Sequence, residues 1–464
     1  MRGLTLFVPG LLGPGADKLG VAADAGLDLP ALPRILAKAD TSAFPWPCYE
    51  AALCGLFGIS GQELPVAAIT YPIDFIENTD SPWMRVDPVH LRADLHKLIL
   101  FDGDFLQLTP DEAQALSGDL ARALGNDLSG LRISPDAKRW YLLLSESPRL
   151  QTQPVSVVMG QDVRGLLPKG VDQGRWLRLG NEIQMVLHEA AINQRRETNR
   201  QIPANSVWFW GAGALPPAPA QCPWSAVFSD DPLALGLARW SGVPGYASGV
   251  SDVQPPSQPS PCQGEGAEVR AGVTNAHMPM QTSETLPLAG GGLEPAPVKA
   301  GGGGRRLEIP RELGIEGVDV SLAVPDVQPP SPPLRPRSGQ ASPCQGEGAE
   351  KRNPAVATMA NSSVPMQAAG VLAALAGLNK GEALVVLPNA LRPSRYSDIT
   401  GWQEAMARLE RDWFAPLLKA VQRGELEQLR VIADGCDFTL RRGRLWHFWR
   451  RSRALHEYQP GESG

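Results

Sequence analysis

Between about Val250 and Val364 the chain carries no aromatic residue and turns rich in Pro, Gly, Ser and Gln. Such a composition cannot bury enough apolar surface to offset the entropy lost on ordering, so the segment reads as a disordered insertion. This constrains the fold more than any other feature. One core has to be assembled from two separated stretches, residues 1–249 and 365–464, with 250–364 leaving from a loop. Within the insertion D-V-Q-P-P-S at Asp252 recurs at Asp326, and S-P-C-Q-G-E-G-A-E at Ser260 recurs at Ser342. Two copies without an apolar face do not stack into a solenoid. A duplicated surface loop is one reading, and a Pro-rich tether for a protein partner around Pro329 to Pro336 is the other.

The remaining bounds come from length, charge and cysteines. A chain of 464 residues can bury a large core. A net charge of −6 gives no global electrostatic case for nucleic acid or an anionic membrane. No run of about 18 apolar residues exists, so no membrane span is expected. The apolar start, Leu4 to Val8, ends at Pro9-Gly10 and reads as a first buried strand rather than a leader peptide. Six scattered cysteines form no C-x-x-C pair, which fits reduced thiols and a cytoplasmic setting. Gly10 to Gly15 lacks the G-K-(S/T) ending of a phosphate loop, and Gly245 to Gly249 is not a G-x-S-x-G elbow.

Outside the insertion, strand and helix signals alternate. Thr109-Pro110-Asp111-Glu112 forms a capping box ahead of Ala113, Leu116, Leu120 and Leu124 at helical spacing, and Gly125-Asn126 ends that helix. Val155 to Met159 is a continuous apolar run suited to a doubly covered strand, as is Leu384 to Leu387. Ile183, Val186, Leu187, Ala190 and Ala191 mark one helix face. Met406, Leu409, Trp413, Leu417 and Val421 mark another, with a kink expected near Pro416. Leu429 to Ala433 is a strand, and Phe438 to Leu440 is expected to pair with Leu445 to Trp449 across an Arg-rich turn. The alternation predicts an α/β sandwich with a mostly parallel sheet flanked by helices.

The most specific motif runs from Asn193 to Pro216. An Asn- and Arg-rich helix end passes into the apolar strand Ser206 to Trp210 and then Gly211-Ala212-Gly213. Glycines at a strand's carboxyl end let a ligand or helix approach the backbone closely. The segment resembles N-x-x-R…A-N-x-(I/V)-W-x-W-G-x-G-x-x-P of the archaeal-type cofactor-independent phosphoglycerate mutases, and more closely their phosphoglycerate mutase-like, RpfE-type regulatory relatives. Four further stretches are similar in order. Asp87 to Asp94 resembles D-V-A-F-R-x-N, and Gly160-Gln161-Asp162 a loop after a sheet strand. Arg408 to Asp412 resembles I-E-x-I-D, and Val431 to Gly435 resembles T-A-D-H. The resemblance implies an alkaline phosphatase-like architecture in which Asp and His hold two divalent metals that activate a Ser hydroxyl.

The chain departs from that pattern where the metals would bind. Val8-Pro9-Gly10 stands where the resemblance expects D-G, with no carboxylate until Asp17. The expected D-H is Asp434-Gly435, and the D-x-x-G-H segment reads Asn389 to Tyr396 without a His. Asp434 is thus the surviving family position, and no catalytic centre or cofactor is expected; Mn²⁺ or Mg²⁺ would enter only if the site is an unconventional mutase or phosphohydrolase. His90, Asp94 and His96 share one strand parity and form a weak alternative metal set, or simply a solvated face. Arg195, Arg196 and Arg200 fit either a phosphate site with Gly211 and Gly213 or a charged helix end. Arg392 and Arg395 fit an anion or partner site, or solvated surface, as do Arg441, Arg442 and Arg444. Trp208, Trp210, Trp446 and Trp449 read as core. Three functions remain open: a non-catalytic sensor of a small phosphorylated acid, an active enzyme of this class, or an interaction scaffold.

Overall fold

The computed structural model describes residues 2–14, 26–77, 80–248, 366–377, 381–446 and 453–458. The insertion 250–364, with its repeats and cysteines, lies outside the described residues, as do Asp17 and Trp449. In chain order the N-terminal strands are β1 (Arg2–Phe7), β2 (Asp40–Ala43), β3 (Trp83–Asp94), β4 (Lys97–Phe101), β5 (Leu131–Ile133) and β6 (Trp140–Leu143). Next come β7 (Leu150–Gln151), β8 (Lys169–Gly170), β9 (Ser206–Gly213), β10 (Trp224–Phe228) and β11 (Gly245–Tyr246). After the insertion follow β12 (Gly381–Val386), β13 (Gln428–Ala433) and β14 (Cys436–Arg441).

The two stretches meet in one seven-stranded sheet of order β11-β10-β12-β1-β13-β14-β2. Its first five strands run parallel, β14 is antiparallel to β13, and β2 is antiparallel to β14. The central strand β1 is held on both sides by strands from beyond the insertion, with Leu6 opposite Val385 and Val431. Leu4 and Leu6 pack on one face with Val385, Val431, Trp402 and Trp413. Phe7, Leu384, Val386 and Ile432 pack on the other face with Leu53, Ile69 and Leu237. Continuous apolar strands are what a sheet covered on both faces requires, and the chain is a mixed α/β protein with this sheet flanked by helices.

A second sheet, not foreseen from the strand count, holds β4-β3-β6-β5 with β9 joined to β3, all antiparallel. The strand Ser206 to Trp210 therefore belongs to this antiparallel sheet and continues through the glycines to Gly213. Gly211 and Gly213 have φ of 64° and 155°, and a Cβ on them would sit 3.0 Å from Val66, the first residue of the helix Val66–Phe75, and from Pro65, its N-cap, respectively. The absent side chains let a helix pack closely.

Other expectations are corrected. Val155–Val158 is one helical turn rather than a strand, because Pro154 starts a turn whose amides bond back to it. The partner of β14 is β13, across the tight turn Asp434-Gly435 with φ of 44° and 84°, while Arg442–Trp446 is a 3₁₀ helix. The stripe from Met406 to Val421 is buried as expected. The helix is interrupted by a π-turn at Glu410–Phe414, before Pro416, which sits at the start of the following α-helical stretch where a missing N–H costs little. The capping box at Thr109 and the helix end at Gly125 are as read.

Candidate functional site

At the carboxyl end of the parallel strands, short loops and helix starts bring together the side chains with chemical potential. β13 ends at Asp434, whose carboxylate accepts from the amides of Gly10 at 2.7 Å and Leu12 at 2.8 Å. Asp434 stays exposed to solvent, but both its oxygens are occupied in closing the loop after β1. Gly10, at φ +80°, lies so close to the next segment that a Cβ would come within 2.5 Å of the Ala390 carbonyl oxygen. Trp402 Nε1 donates to the Gly10 carbonyl at 2.8 Å. This loop presses on the segment that carries the two candidate arginines.

That segment is the one-turn helix Leu391–Arg395. Arg392 is fixed: its guanidinium forks onto Asp102 at 2.8 and 3.0 Å, and it stacks over Tyr396. Tyr396 in turn accepts from the Asp102 amide and lies 3.1 Å from its carboxylate. Gly160, at φ +72°, lets a neighbouring loop reach the Arg395 carbonyl, where a Cβ would sit at 3.0 Å. The half-buried Arg395 guanidinium makes no hydrogen bond or ion pair among the described residues.

Arg395 acts electrostatically on Cys48 and Glu50, which cap and begin the helix Tyr49–Gly55. Glu50 is buried and accepts from Ser156 Oγ at 2.5 Å. Burial raises its carboxyl from the ordinary 4.5 to about 7, opposed by the Ser156 hydroxyl, its own amide and Arg395, and reinforced by Asp231. Burial also lifts the Cys48 thiol to about 11, with Arg395 pulling it down weakly. Tyr49 stacks on Phe7 at 5.7 Å, and its buried hydroxyl finds no hydrogen-bond partner among the described residues. Asp231 lies near that hydroxyl and caps the helix Pro232–Trp240 through Leu233 and Ala234. Sequence reasoning missed Glu50, Ser156, Tyr49 and Asp231. The only local hint is a carboxylate, Glu50, inside the otherwise apolar run Tyr49 to Leu53.

The other candidates have structural employment or lie apart. Arg196 is buried and donates to Glu112, Ile202 O and Leu106 O. Arg196 and Arg392 thus grip opposite ends of the turn Asp102 to Leu106, and each guanidinium is satisfied by protein acceptors. Arg195 and Arg200 are exposed, with Arg200 at φ 59°. His90 Nδ1 meets the Pro203 carbonyl at 2.9 Å, and burial lowers its pKa. Asp94 and His96 are exposed at the β3–β4 turn. Arg441 and Arg442 are exposed, and Arg444 pairs with Asp40 at the surface. Trp208 and Trp210 are buried in β9, their indoles donating to Gln153 O and Asp87.

The acids in the resembling stretches also hold backbone or charge. Asp87 is buried against Arg85, the Trp140 amide and Trp210. Asp162 accepts from the Leu98 amide and Arg164. Glu410 accepts from the amides of Ala31 and Leu32 at the start of the helix Leu32–Lys38. Among the described residues no three His, Cys, Asp or Glu side chains are grouped to hold a metal ion. The residues described at the sheet's carboxyl end do not fit a two-metal centre, since Asp434 is joined there by no group of His, Cys, Asp or Glu side chains. No helix among them is long and apolar enough to cross a membrane.

Comparison with known proteins places this geometry in context. No family model matches the chain. A stretch of 134 residues is 27% identical to a probable 2,3-bisphosphoglycerate-independent phosphoglycerate mutase of Geobacter sulfurreducens, covering 28% of this chain and 33% of that protein. Another of 102 residues is 28% identical to the 2,3-bisphosphoglycerate-independent phosphoglycerate mutase of Methanothrix thermoacetophila, covering 22% and 26%. Among solved structures, the cofactor-independent phosphoglycerate mutase of Thermoplasma acidophilum aligns over 95% of this chain and 89% of its own, with 12% identity and a TM-score of 0.34. The PH0037 protein of Pyrococcus horikoshii aligns over 53% and 61%, with 16% identity and a TM-score of 0.32. The sequence matches show weak homology to cofactor-independent phosphoglycerate mutases, over a third or less of the relatives' length.

Proposed function

We propose that this chain is a non-catalytic, ligand-sensing relative of the cofactor-independent phosphoglycerate mutases, with an alkaline phosphatase-like layout, that binds a small phosphorylated acid at Arg395. The observation that carries this reading is a guanidinium at Arg395 that makes no hydrogen bond or ion pair among the described residues, together with a strand-end carboxylate, Asp434, whose oxygens both accept from backbone amides. A planar guanidinium attracts phosphate or carboxylate oxygens and stays charged at all working pH. It supplies no means of activating a nucleophile. Arg392 shapes the site by locking its helix to Asp102 rather than by meeting the ligand. The matched relatives carry mutase names, which favours phosphoglycerates as the first ligands to try.

Calorimetric titration with 2- and 3-phosphoglycerate tests the reading. Binding should weaken about tenfold or more in Arg395→Ala, the scale of one lost charge-assisted contact. Arg408→Ala, at an exposed pair with Glu404, should leave it unchanged. No turnover of 3-phosphoglycerate above background is expected with Mn²⁺ or Mg²⁺. Metal-dependent turnover lost in Asp434→Ala would establish the enzyme reading instead, and no binding heat would leave the scaffold.

A further inference from the structure

We infer that Asp102 is a positioning residue of the Arg395 anion site: through Arg392 and Tyr396, which flank Arg395 in the chain, it fixes the short helix from which that guanidinium is presented. The inference rests on the anion-site reading and adds what holds the site in place. A helix of five residues is too short to keep its shape in water by itself, and Leu391–Arg395 also contains Pro393, which has no amide donor. Its restraint has to come from elsewhere in the fold. The hydrogen bonds that its side chains and that of Tyr396 make converge on Asp102.

Asp102 follows β4 of the second sheet and caps the turn Gly103–Leu106, whose far end Arg196 holds through the Leu106 carbonyl. Its carboxylate takes the Arg392 guanidinium at 2.8 and 3.0 Å and accepts from the Tyr396 hydroxyl at 3.1 Å. Its amide donates to that same hydroxyl at 3.0 Å. Asp102 is 7% exposed, so water competes weakly for these bonds. Arg392 also lies 4.0 Å from Asp104. The Tyr396 ring is nearly parallel to Phe101 and tilted against Phe105, each at 6.0 Å between centroids. A guanidinium meets an oxyanion as a planar fork, so small displacements of its backbone cost hydrogen bonds to the ligand. Arg395 acts electrostatically on Cys48, Glu50 and Asp434. Tyr396→Phe changes none of those charges, so a loss it causes at Arg395 is one of position.

The role is read from 3-phosphoglycerate affinity, measured by calorimetry. Tyr396→Phe keeps the ring and removes the hydroxyl, and affinity should fall about threefold, the scale of one neutral hydrogen bond. Asp102→Asn leaves Arg392 only a neutral acceptor and should cost about tenfold, the scale of a charge-assisted one. Both losses should shrink to within about twofold when made in Arg395→Lys, because a point charge with rotatable donors demands less of its placement than a planar fork. Equal losses in the two backgrounds would mean a general weakening of the fold and overturn the positioning role. Unchanged affinity in both variants overturns it and leaves the anion site. Tighter binding by Asp102→Asn overturns it too, since Asp102 would then be withholding Arg392 from the ligand. If Asp102→Asn does not fold, Tyr396→Phe in the two backgrounds carries the test. No binding of 3-phosphoglycerate by the wild type overturns the site and the positioning together.

Discussion

Replacing Glu50 by Gln should change how stability depends on pH, by an amount the structure allows to be worked out. A buried carboxyl whose proton affinity is raised from 4.5 to about 7 keeps its proton in the folded state over a range where the unfolded chain has released it. The folded state then binds more protons than the unfolded one, so stability falls as pH rises through that window. The burial penalty is absent below about pH 4.5, grows until about pH 7 and is constant above. At about 1.4 kcal/mol per pH unit the loss comes to about 3 kcal/mol. Gln has the same shape and can still accept from Ser156, but it carries no titrating proton. Its amide N–H groups can be left unpaired, which would add a constant cost of about 1–3 kcal/mol at every pH. The diagnostic quantity is therefore the change in the wild-type-to-variant gap with pH, not its sign at any one pH. Urea denaturation from pH 4.5 to 8.5 should show Glu50→Gln gaining about 3 kcal/mol on the wild type. A gap that stays constant across the range would refute both the burial of this carboxyl and its neutral-pH titration.

Two further outcomes test the loops and the second sheet. Asp434→Asn keeps a residue type that tolerates its φ of 44° but offers one acceptor oxygen to two amides, so urea denaturation should show a loss of about 1 kcal/mol; no change would mean that water serves the loop equally well. Arg85→Met should cost about 3–5 kcal/mol at pH 7, because it strands buried Asp87, and less at pH 4, where that carboxyl can take up a proton; an equal cost at both pH values would count against a buried charge.

The arginines show where sequence and structure part company. Arg195, Arg196, Arg200, Arg392 and Arg395 are equally basic on paper, and charge alone cannot rank them. Folding pairs Arg196 with Glu112 and Arg392 with Asp102, partners 84 and 290 positions away, and gives Arg395 no hydrogen bond or ion pair among the described residues. The glycines after Trp210 were legible as points of close approach, but the sequence did not say to what, and the answer is Pro65 and Val66. The set of residues around Glu50 was illegible because its members, Tyr49, Glu50, Ser156, Asp231 and Arg395, come from four separate segments.

What the sequence determined by itself was local: the capping box at Thr109, the helix end at Gly125, the apolar stripe from Met406 to Val421 and the buried strands β1, β12 and β13. These rest on periodicity and on hydrogen bonds closed within a few residues, so neighbours in the chain suffice to specify them. The tertiary structure alone decided which sheet β9 joins, that Val155–Val158 turns into a helix, and that β14 pairs back on β13. Short apolar runs satisfy a strand or a helix equally, and the choice falls to the surfaces available for them to cover. The chemistry of the candidate site was decided the same way. The proton affinity of a carboxyl such as Glu50 is set by what the rest of the fold places around it.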